Sequence, residues 1–193
     1  MRKLTVLAAM MASVLMTGAG TAQEDDPAAY TSDLASLAPL TPANYAVSVE
    51  TEDGGKAIEL FGDRKLLSLA TYDVDPAKAY EISIRLRVVL DDVATGGGAL
   101  THVGVATFDK NGNELTADPG VYRFAVFYQK LLTTADGWQE FKGIIQGEGN
   151  ENHKQFRPGT AKVRLVALLN YGSDAAITQL DYLRIKPAVL TPQ

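Results

Sequence analysis

The strongest constraint on the fold is a succession of short apolar runs divided by turn residues. The clearest run is Tyr80–Leu90, where Ile82, Ile84, Leu86, Val88 and Leu90 alternate with Ser83, Arg85 and Arg87. A period of two residues is typical of a β-strand with one buried face. Similar runs, bounded by Gly, Asp, Asn and Pro, are Tyr45–Thr51, Ala57–Phe61, Leu66–Val74, His102–Phe108, Tyr122–Tyr128, Trp138–Gln146, Lys162–Tyr171 and Ile177–Ile185. Many short strands without a long helical pattern predict an all-β protein, a β-sandwich.

The first residues predict export. Arg2 and Lys3 precede an apolar stretch, Leu4 to Met16, which is too short to span a bilayer, and small residues follow up to Ala22. We therefore expect residues 1–22 to be a signal peptide, cleaved after Ala22. The mature protein is then secreted or periplasmic. The chain has no Cys, so it forms no disulfide.

Charge and composition divide the rest of the chain. Removing Arg2 and Lys3 from the 18 basic residues leaves 16 against 23 acidic ones, a formal charge of −7. This acidity argues against nucleic acid or an anionic membrane as the main partner, and no other apolar run is long enough for a membrane span. Residues 23–44 are rich in Pro, Ala and acids and are predicted to be a linker. Residues 45–187 form the β-sandwich domain, and residues 188–193 form a C-terminal tail.

Three segments resemble a known family. They are Pro76-Ala77-Lys78-Ala79-Tyr80-Glu81-Ile82-Ser83, Gly137-Trp138, and Leu180-Asp181-Tyr182. Their order is similar to that in the jelly-roll carbohydrate-binding modules attached to xylanases and cellulases, which belong to the galactose-binding-like group. The resemblance covers roughly residues 45–187. It implies a jelly-roll sandwich that binds a polysaccharide or another glycan.

The same resemblance implies a structural calcium ion near Asp181. In the family, this final-strand Asp is joined by a Glu from an Asn-Pro-Gly-Phe-Glu-like segment, which this chain lacks. Asp181 lies between the apolar residues Leu180 and Leu183, where a buried carboxylate needs a metal or several donors. Two interpretations stay open: Asp181 ligates calcium, or it caps backbone amides. No other cofactor is expected.

No catalytic constellation is recognisable, so we expect a protein that is not an enzyme. The two histidines, His102 and His153, are 51 residues apart and are not in an HExxH motif, so a catalytic zinc site lacks ligands at a known spacing. Glycosidases need paired carboxylates beside a groove. Glu148 and Glu151 lie in a Gly- and Asn-rich segment, where solvated acids are the default.

The arginines are the main candidates for ligand binding. Arg85, Arg87, Arg123 and Arg164 each alternate with apolar residues and should emerge on a face away from the core. If their strands share a sheet, the guanidinium groups gather on one surface, which suits a polysaccharide that bears acidic groups. Asn170 and Tyr171 would lie at its rim. The alternative is a set of solvated arginines paired with local acids.

Aromatic residues are the other candidates, because sugar rings stack on aromatic rings. Trp138 is the only tryptophan, but the corresponding Trp of the family packs structurally, so a core position is favoured. One side of the strand Tyr122–Tyr128 carries Tyr122, Phe124 and Tyr128, and the opposite side carries Arg123. Since Arg123 must avoid the core, the three aromatic residues are predicted to be core residues.

We therefore predict an exported, non-catalytic module that binds carbohydrate. The alternative is an exported structural or surface protein that uses its β-sandwich for assembly with a protein partner. An exposed aromatic or Arg-lined groove would favour the first, and a broad apolar patch or an unpaired edge strand would favour the second.

Overall fold

The computed structural model describes residues 30–32, 37–39, 46–68, 70–95, 99–115 and 122–188. The predicted signal peptide, most of the predicted linker and residues 189–193 of the predicted tail lie outside these ranges. The described residues form twelve strands: β1 (Tyr30–Ser32), β2 (Leu37–Pro39), β3 (Ala46–Glu50), β4 (Lys56–Phe61), β5 (Arg64–Ser68), β6 (Tyr72–Asp73), β7 (Ala79–Leu90), β8 (Ala99–Phe108), β9 (Tyr122–Leu132), β10 (Gln139–Gln146), β11 (Lys162–Tyr171) and β12 (Ile177–Pro187).

These strands form two antiparallel sheets. Sheet one has the order β10-β7-β12-β4-β3, and β1 pairs with β12. Sheet two has the order β2-β5-β11-β8-β9, and β6 pairs with β11. The short strands β1 and β2 lie within residues 23–44, for which the sequence predicts a linker. The prediction of an all-β sandwich is confirmed.

The core lies between the two sheets and follows the period-2 pattern of the strands. Ile82, Ile84 and Leu86 of β7 are fully buried against Leu165 and Leu169 of β11 and their neighbours. Each such side chain contributes about 1.5–3 kcal/mol through burial. Leu90, predicted to share this buried side, lies at the end of β7 and is exposed.

Sheet two also carries apolar residues on its outer face, away from this core. Ala106 and Val166 are buried there beneath the half-buried side chains of Phe108, Tyr122 and Phe124. The main core and this second cluster lie on opposite faces of the same sheet, because residues 163, 165, 167 and 169 of β11 point inward while Val166 points outward. Sheet two therefore has an aromatic outer surface.

Candidate functional site

The predicted arginine surface is divided between two sheets. Arg85 and Arg87 lie on β7 of sheet one, whereas Arg164 lies on β11 of sheet two. The premise that their strands share a sheet is therefore wrong. Alternation along a strand fixes the face on which a side chain emerges, but not the sheet to which the strand belongs.

The prediction that Arg123 emerges on a face away from the core is wrong. Its side chain is buried, and its guanidinium group donates to the carbonyl of Gly149 at 2.8 Å and to Oδ1 of Asn150 at 3.2 Å. Burial and the nearby charge of Arg157 lower the pKa of Arg123. Backbone carbonyls of the loop before Phe156 thus replace water around this charge, which makes the inward position tolerable.

Asn170 is fully buried, so the prediction that it lies at a ligand-binding rim is wrong. Its Nδ2 donates to the carbonyl oxygens of Gly62 at 2.9 Å, Ala176 at 3.2 Å and Leu60 at 3.3 Å. Its Oδ1 accepts a hydrogen bond from Thr178. The backbone φ of Asn170 is 54°, a left-handed conformation that Asn tolerates better than most residues. Asn170 therefore has a structural role: its side chain holds neighbouring segments together through hydrogen bonds.

Asp181 lies on the surface of sheet one rather than in a buried position. Its Oδ2 is 2.5 Å from Nη1 of Arg85, and its side chain is 32% exposed. The expectation of a buried carboxylate fails because the register of β12 shifts between Leu180 and Tyr182, which moves Asp181 out of the regular alternation. Within the described ranges, no three His, Asp or Glu side chains are grouped so that they could hold a metal ion.

The outer face of sheet one is covered by paired polar side chains. Nε of Arg87 donates to Oε1 of Gln179 at 2.9 Å, and Nε2 of Gln179 donates to Glu59 at 2.7 Å. Tyr182 donates to Glu140, and burial together with this hydrogen bond raises the pKa of Tyr182 to about 12. Arg85 is therefore paired with an acid, Asp181, as in the alternative interpretation of the arginines, whereas Arg87 is paired with the amide of Gln179. Whether either contacts a ligand stays a prediction.

Trp138 also lies on this outer face, so its interpretation as a core residue is wrong. Its ring is partly exposed, and the guanidinium carbons of Arg85 and Arg87 lie 4.7 and 4.9 Å from the ring centroid. Contacts of this kind between a cation and an aromatic ring are attractive. They fix the indole ring above the sheet.

The outer face of sheet two carries a continuous group of aromatic rings, called here the aromatic face. It consists of His102, Tyr122, Phe124, Phe127, His153 and Tyr171. The ring of Phe127 stacks on the ring of His102, with 4.1 Å between the ring centroids. The ring of Tyr171 also contacts His102, edge-on, with 5.3 Å between the centroids. Phe127 is 54% exposed and Tyr171 is 49% exposed, whereas His102 is buried. Two accessible rings thus rest on a buried one.

The supporting rings hold Phe127 in place. Phe124 lies 5.8 Å from Phe127 and edge-on to it, and His153, from the loop before β11, lies parallel to Phe127 at 6.4 Å. Burial lowers the pKa of His102, so its imidazole is neutral near pH 7. Its Nδ1 is buried and has no hydrogen-bond partner among the described residues. The ring therefore acts mainly through packing.

A β-bulge builds this face. Gly104 pairs with Phe124 and Val103 pairs with Val126, so Ala125 is an extra residue in β9. The extra residue changes the side of the strand on which the following side chains emerge, so Phe127 lies on the outer face with Tyr122 and Phe124. Gly104 is needed at this point, because a Cβ would lie 1.8 Å from the carbonyl oxygen of Arg123. The prediction that Tyr122 and Phe124 are core residues is wrong; the side chain of Tyr128 lies outside the described part of the chain.

Sequence reasoning missed Phe127, His102 and His153 as members of one surface. Tyr171 was predicted to lie at the rim of a site, and the structure places it beside His102 with half of its surface exposed. Arg164 lies on the outer side of the same sheet, opposite Ala106, and Lys162 lies opposite Phe108. The aromatic face therefore has basic residues on a neighbouring strand.

Comparisons with known proteins support the fold. No protein-family model and no curated protein matches the chain. Endo-1,4-β-D-xylanase 10B of Clostridium thermocellum, whose CBM22-1 and GH10 modules are complexed with xylohexaose, matches with a TM-score of 0.54 and 11% identity. The match covers 86% of this chain and 28% of that one. The CBM22-1 xylan-binding domain of Paenibacillus barcinonensis matches with a TM-score of 0.49 and 14% identity, over 84% of this chain and 94% of that domain.

The likeness to part of the xylanase 10B structure defines the class of fold. The chain is a jelly-roll β-sandwich of the type found in carbohydrate-binding modules, and the resemblance predicted from the sequence is confirmed for the fold. In the described part of the chain, no helix is long and apolar enough to cross a membrane.

Proposed function

We propose that the protein binds a glycan on the aromatic face without hydrolysing it. The observation that carries this proposal is the pair of exposed rings, Phe127 and Tyr171, each in contact with the buried ring of His102. The less polar faces of pyranose sugars stack on aromatic rings, and rings held in advance lose little entropy on binding. A contiguous exposed apolar patch often marks an interaction site.

The charges near the rings favour binding over hydrolysis. Hydrolysis of a glycosidic bond needs two carboxyl groups on either side of the bond. The outward positions of β6, β8, β9 and β11 that the structure describes carry Lys162, Arg164 and a single acid, Asp73, which stands opposite Lys162. One acid does not make the pair of carboxyl groups that hydrolysis needs. The two basic residues supply hydrogen-bond donors at the Tyr122 end of the face, because Arg164 stands opposite Ala106 and Ala106 stands opposite Tyr122. The similar fold of xylanase 10B, in a structure with xylohexaose, supports a saccharide ligand by analogy.

The basic residues favour a polysaccharide that bears acidic groups. Lys162 and Arg164 stand on the outer side of sheet two in a protein whose formal net charge is −5. A guanidinium group binds carboxylate or sulfate groups through two parallel hydrogen bonds. This form of the acidic-glycan proposal uses Arg164 and no longer depends on Arg85, Arg87 and Arg164 sharing one surface.

The acidic-glycan proposal predicts a strong dependence on salt. Raising the salt concentration from about 0.1 M to about 1 M shortens the screening length from about 10 Å to about 3 Å. Binding to an acidic polysaccharide, such as a polyuronate, should weaken severalfold over this range in affinity electrophoresis.

The variant Arg164→Gln should bind more weakly at low salt and respond less to added salt. Lys142→Gln, on the opposite sheet, is the matched control and should behave as the parent protein does. Equal salt responses of all three proteins would contradict the acidic specificity.

We also propose that the protein is exported after cleavage near Ala22. The support is the basic start, the short apolar stretch and the small residues that follow. Mass spectrometry of the protein purified from outside the cytoplasm should show Gln23, or a residue within a few positions of it, at the N-terminus. An intact Met1 in that material would contradict the export proposal.

Assembly with a protein partner is the second candidate function. One observation favours it: β9 is at the end of the strand order of sheet two, and it exposes Leu131 as well as Phe127. Edge strands with exposed apolar side chains are able to pair with other chains. Loss of self-association on substitution of Phe127 would support this candidate.

A further inference from the structure

A second concave site lies on the opposite side of the sandwich. It is a cleft of about 180 Å³ on the outer face of sheet one, lined by Glu52, Asp53, Arg87 and Trp138. Glu52 and Asp53 come from the turn between β3 and β4, whereas Trp138 directly precedes β10. A cleft of this volume is larger than a single water molecule needs, so it has room for a small ligand.

The groups that line the cleft are held by neighbours. The guanidinium carbons of Arg85 and Arg87 lie over the indole ring of Trp138 at 4.7 and 4.9 Å. Nε of Arg87 is in addition bound to Gln179 at 2.9 Å. Asp53 accepts a hydrogen bond from Thr51, and this bond, with smaller contributions from backbone amides and from the charge of Arg85, lowers the pKa of Asp53. The cleft thus presents an ionised acceptor beside a fixed ring and a fixed donor.

This combination selects a particular chemistry. The carboxylates of Glu52 and Asp53 accept hydrogen bonds from hydroxyl groups, the guanidinium group of Arg87 donates to hydroxyl oxygens, and the indole ring supplies an apolar wall. The acids of the lining outnumber Arg87 by two to one, so their net charge disfavours a uronate or a sulfate, while the charge of Arg87 disfavours a cation beside it. We propose that this cleft binds a single neutral sugar residue, independently of the aromatic face.

The proposal goes beyond glycan binding at the aromatic face, because it assigns a second site to the other sheet. The two sites face in opposite directions, since sheets one and two form opposite sides of the sandwich. They also differ in chemistry: aromatic rings and basic residues on sheet two, and acids with one tryptophan on sheet one. A molecule with both sites is able to contact two separate chains of a polysaccharide.

Trp138 provides a direct test, because it is the only tryptophan in the chain. Its fluorescence reports on the cleft, whereas the aromatic face contains no tryptophan. The methyl glycosides of xylose, glucose, galactose and mannose are titrated into the full-length mature protein while the emission is recorded. At least one of them should give a saturable change in the emission of Trp138, and glucuronate should give none. If none of the four glycosides changes the emission, or if glucuronate binds as well, the proposal is wrong.

Isosteric variants assign the response to the cleft. The double variant Glu52→Gln and Asp53→Asn keeps the shape of the turn but removes the two charged acceptors. Both side chains are exposed, so folding should be unaffected. The affinity for the neutral glycoside should fall about tenfold or more, as expected for the loss of hydrogen bonds to charged groups. Lys142→Gln, on the same sheet but outside the cleft, should leave the affinity unchanged. An unchanged affinity in the double variant would overturn the assignment.

A further variant separates this site from the aromatic face. Phe127→Ala should leave the fluorescence titration unchanged, because Phe127 lies on the other sheet. A protein that loses polysaccharide binding in Phe127→Ala but keeps the tryptophan response has two sites. A protein that keeps polysaccharide binding in Phe127→Ala but loses it in the double variant has the cleft as its main site. In that case the function proposed for the aromatic face would be wrong, while the proposal for the cleft would stand.

Discussion

Replacing Phe127 with alanine is expected to weaken glycan binding by about 30-fold or more. The ring is 54% exposed, yet its other side is stacked on His102 at 4.1 Å and braced by Phe124. A rigid aromatic anchor of this kind often contributes 2 kcal/mol or more to binding, which corresponds to about 30-fold in affinity. The measurement is calorimetry or affinity electrophoresis with a glycan chosen from an array screen of the parent protein.

The controls separate stacking from general damage. Phe61→Ala removes an exposed phenylalanine from sheet one and should leave binding at the aromatic face unchanged. Phe127→Tyr keeps a ring and should retain most of the affinity. Tyr171→Ala should weaken binding in the same direction as Phe127→Ala, because both exposed rings contact His102.

One outcome would favour the assembly function instead. If Phe127→Ala and Tyr171→Ala bind every glycan as well as the parent protein, the aromatic face is not the binding site. Sedimentation of the parent protein and of Phe127→Ala then provides the decisive comparison. A dimer that dissociates in the variant would show that β9 is an interface between protein chains.

The fold was predictable because the core depends on local alternation. In β7, Ile82, Ile84 and Leu86 occupy every second position, and each is buried between the sheets. Turn residues between the runs marked the strands from β3 to β12, although the run Leu66–Val74 contains two strands and β1 and β2 were not predicted. The motif order near the C-terminus indicated the jelly roll. Such patterns are repeated many times along the chain, so a single irregularity does not change the predicted class.

The site was not predictable because it depends on irregularities. The extra residue Ala125 in β9 changes the side on which Phe127 emerges, and the sequence gives no clear mark of this bulge. Strict alternation would place Tyr122, Phe124 and Tyr128 together and would leave Phe127 on the other side. Gly104, which allows the close approach of β8 and β9, is the nearest local signal.

The arginines show a second limit of strand patterns. Arg85 and Arg123 both alternate with apolar residues, yet Arg85 pairs with Asp181 on a surface while Arg123 is buried against loop carbonyls. The difference depends on the loop at residues 149–152, which is distant from Arg123 in sequence. Only long-range pairing decides whether an alternating charge reaches solvent.

The two outer faces of the sandwich now have distinct physical roles. Sheet one holds its charges in pairs, such as Arg85 with Asp181 and Lys142 with Glu140, and surface pairs of this kind contribute little to stability. Sheet two exposes two rings, Phe127 and Tyr171, that contact the buried ring of His102. The rigidity of both faces depends on the contacts that hold the two sheets together at the ends of the sandwich. The hydrogen bonds of Asn170 are among these contacts.

Replacing Asn170 with alanine is expected to destabilise the protein by about 3–5 kcal/mol. The amide of Asn170, on β11 of sheet two, donates to the carbonyls of Leu60, Gly62 and Ala176, which belong to segments of sheet one and its turns. The carbonyl of Ala176 still accepts from the backbone amide of Gly62, but the carbonyl of Gly62 loses its donor and the hydroxyl of Thr178 loses its acceptor. Each buried polar group left unpaired costs about 1–3 kcal/mol, and alanine is also strained at a φ of 54°. For a domain of this size, the loss corresponds to a fall of about 10 °C in Tm.

Thermal and urea unfolding of a matched series provide the test. Asn170→Gly tolerates the left-handed backbone and loses only the amide, so it should be less destabilised than Asn170→Ala. Asn170→Asp keeps the shape but turns donors into acceptors that face three carbonyls, and it should be at least as unstable as the alanine variant. Asn113→Ala, which removes an exposed amide bound to Asp109, should cost less than about 1 kcal/mol. Equal stability of the parent protein and Asn170→Ala would show that the buried amide does not join the two sheets, because water would then satisfy the carbonyls equally well.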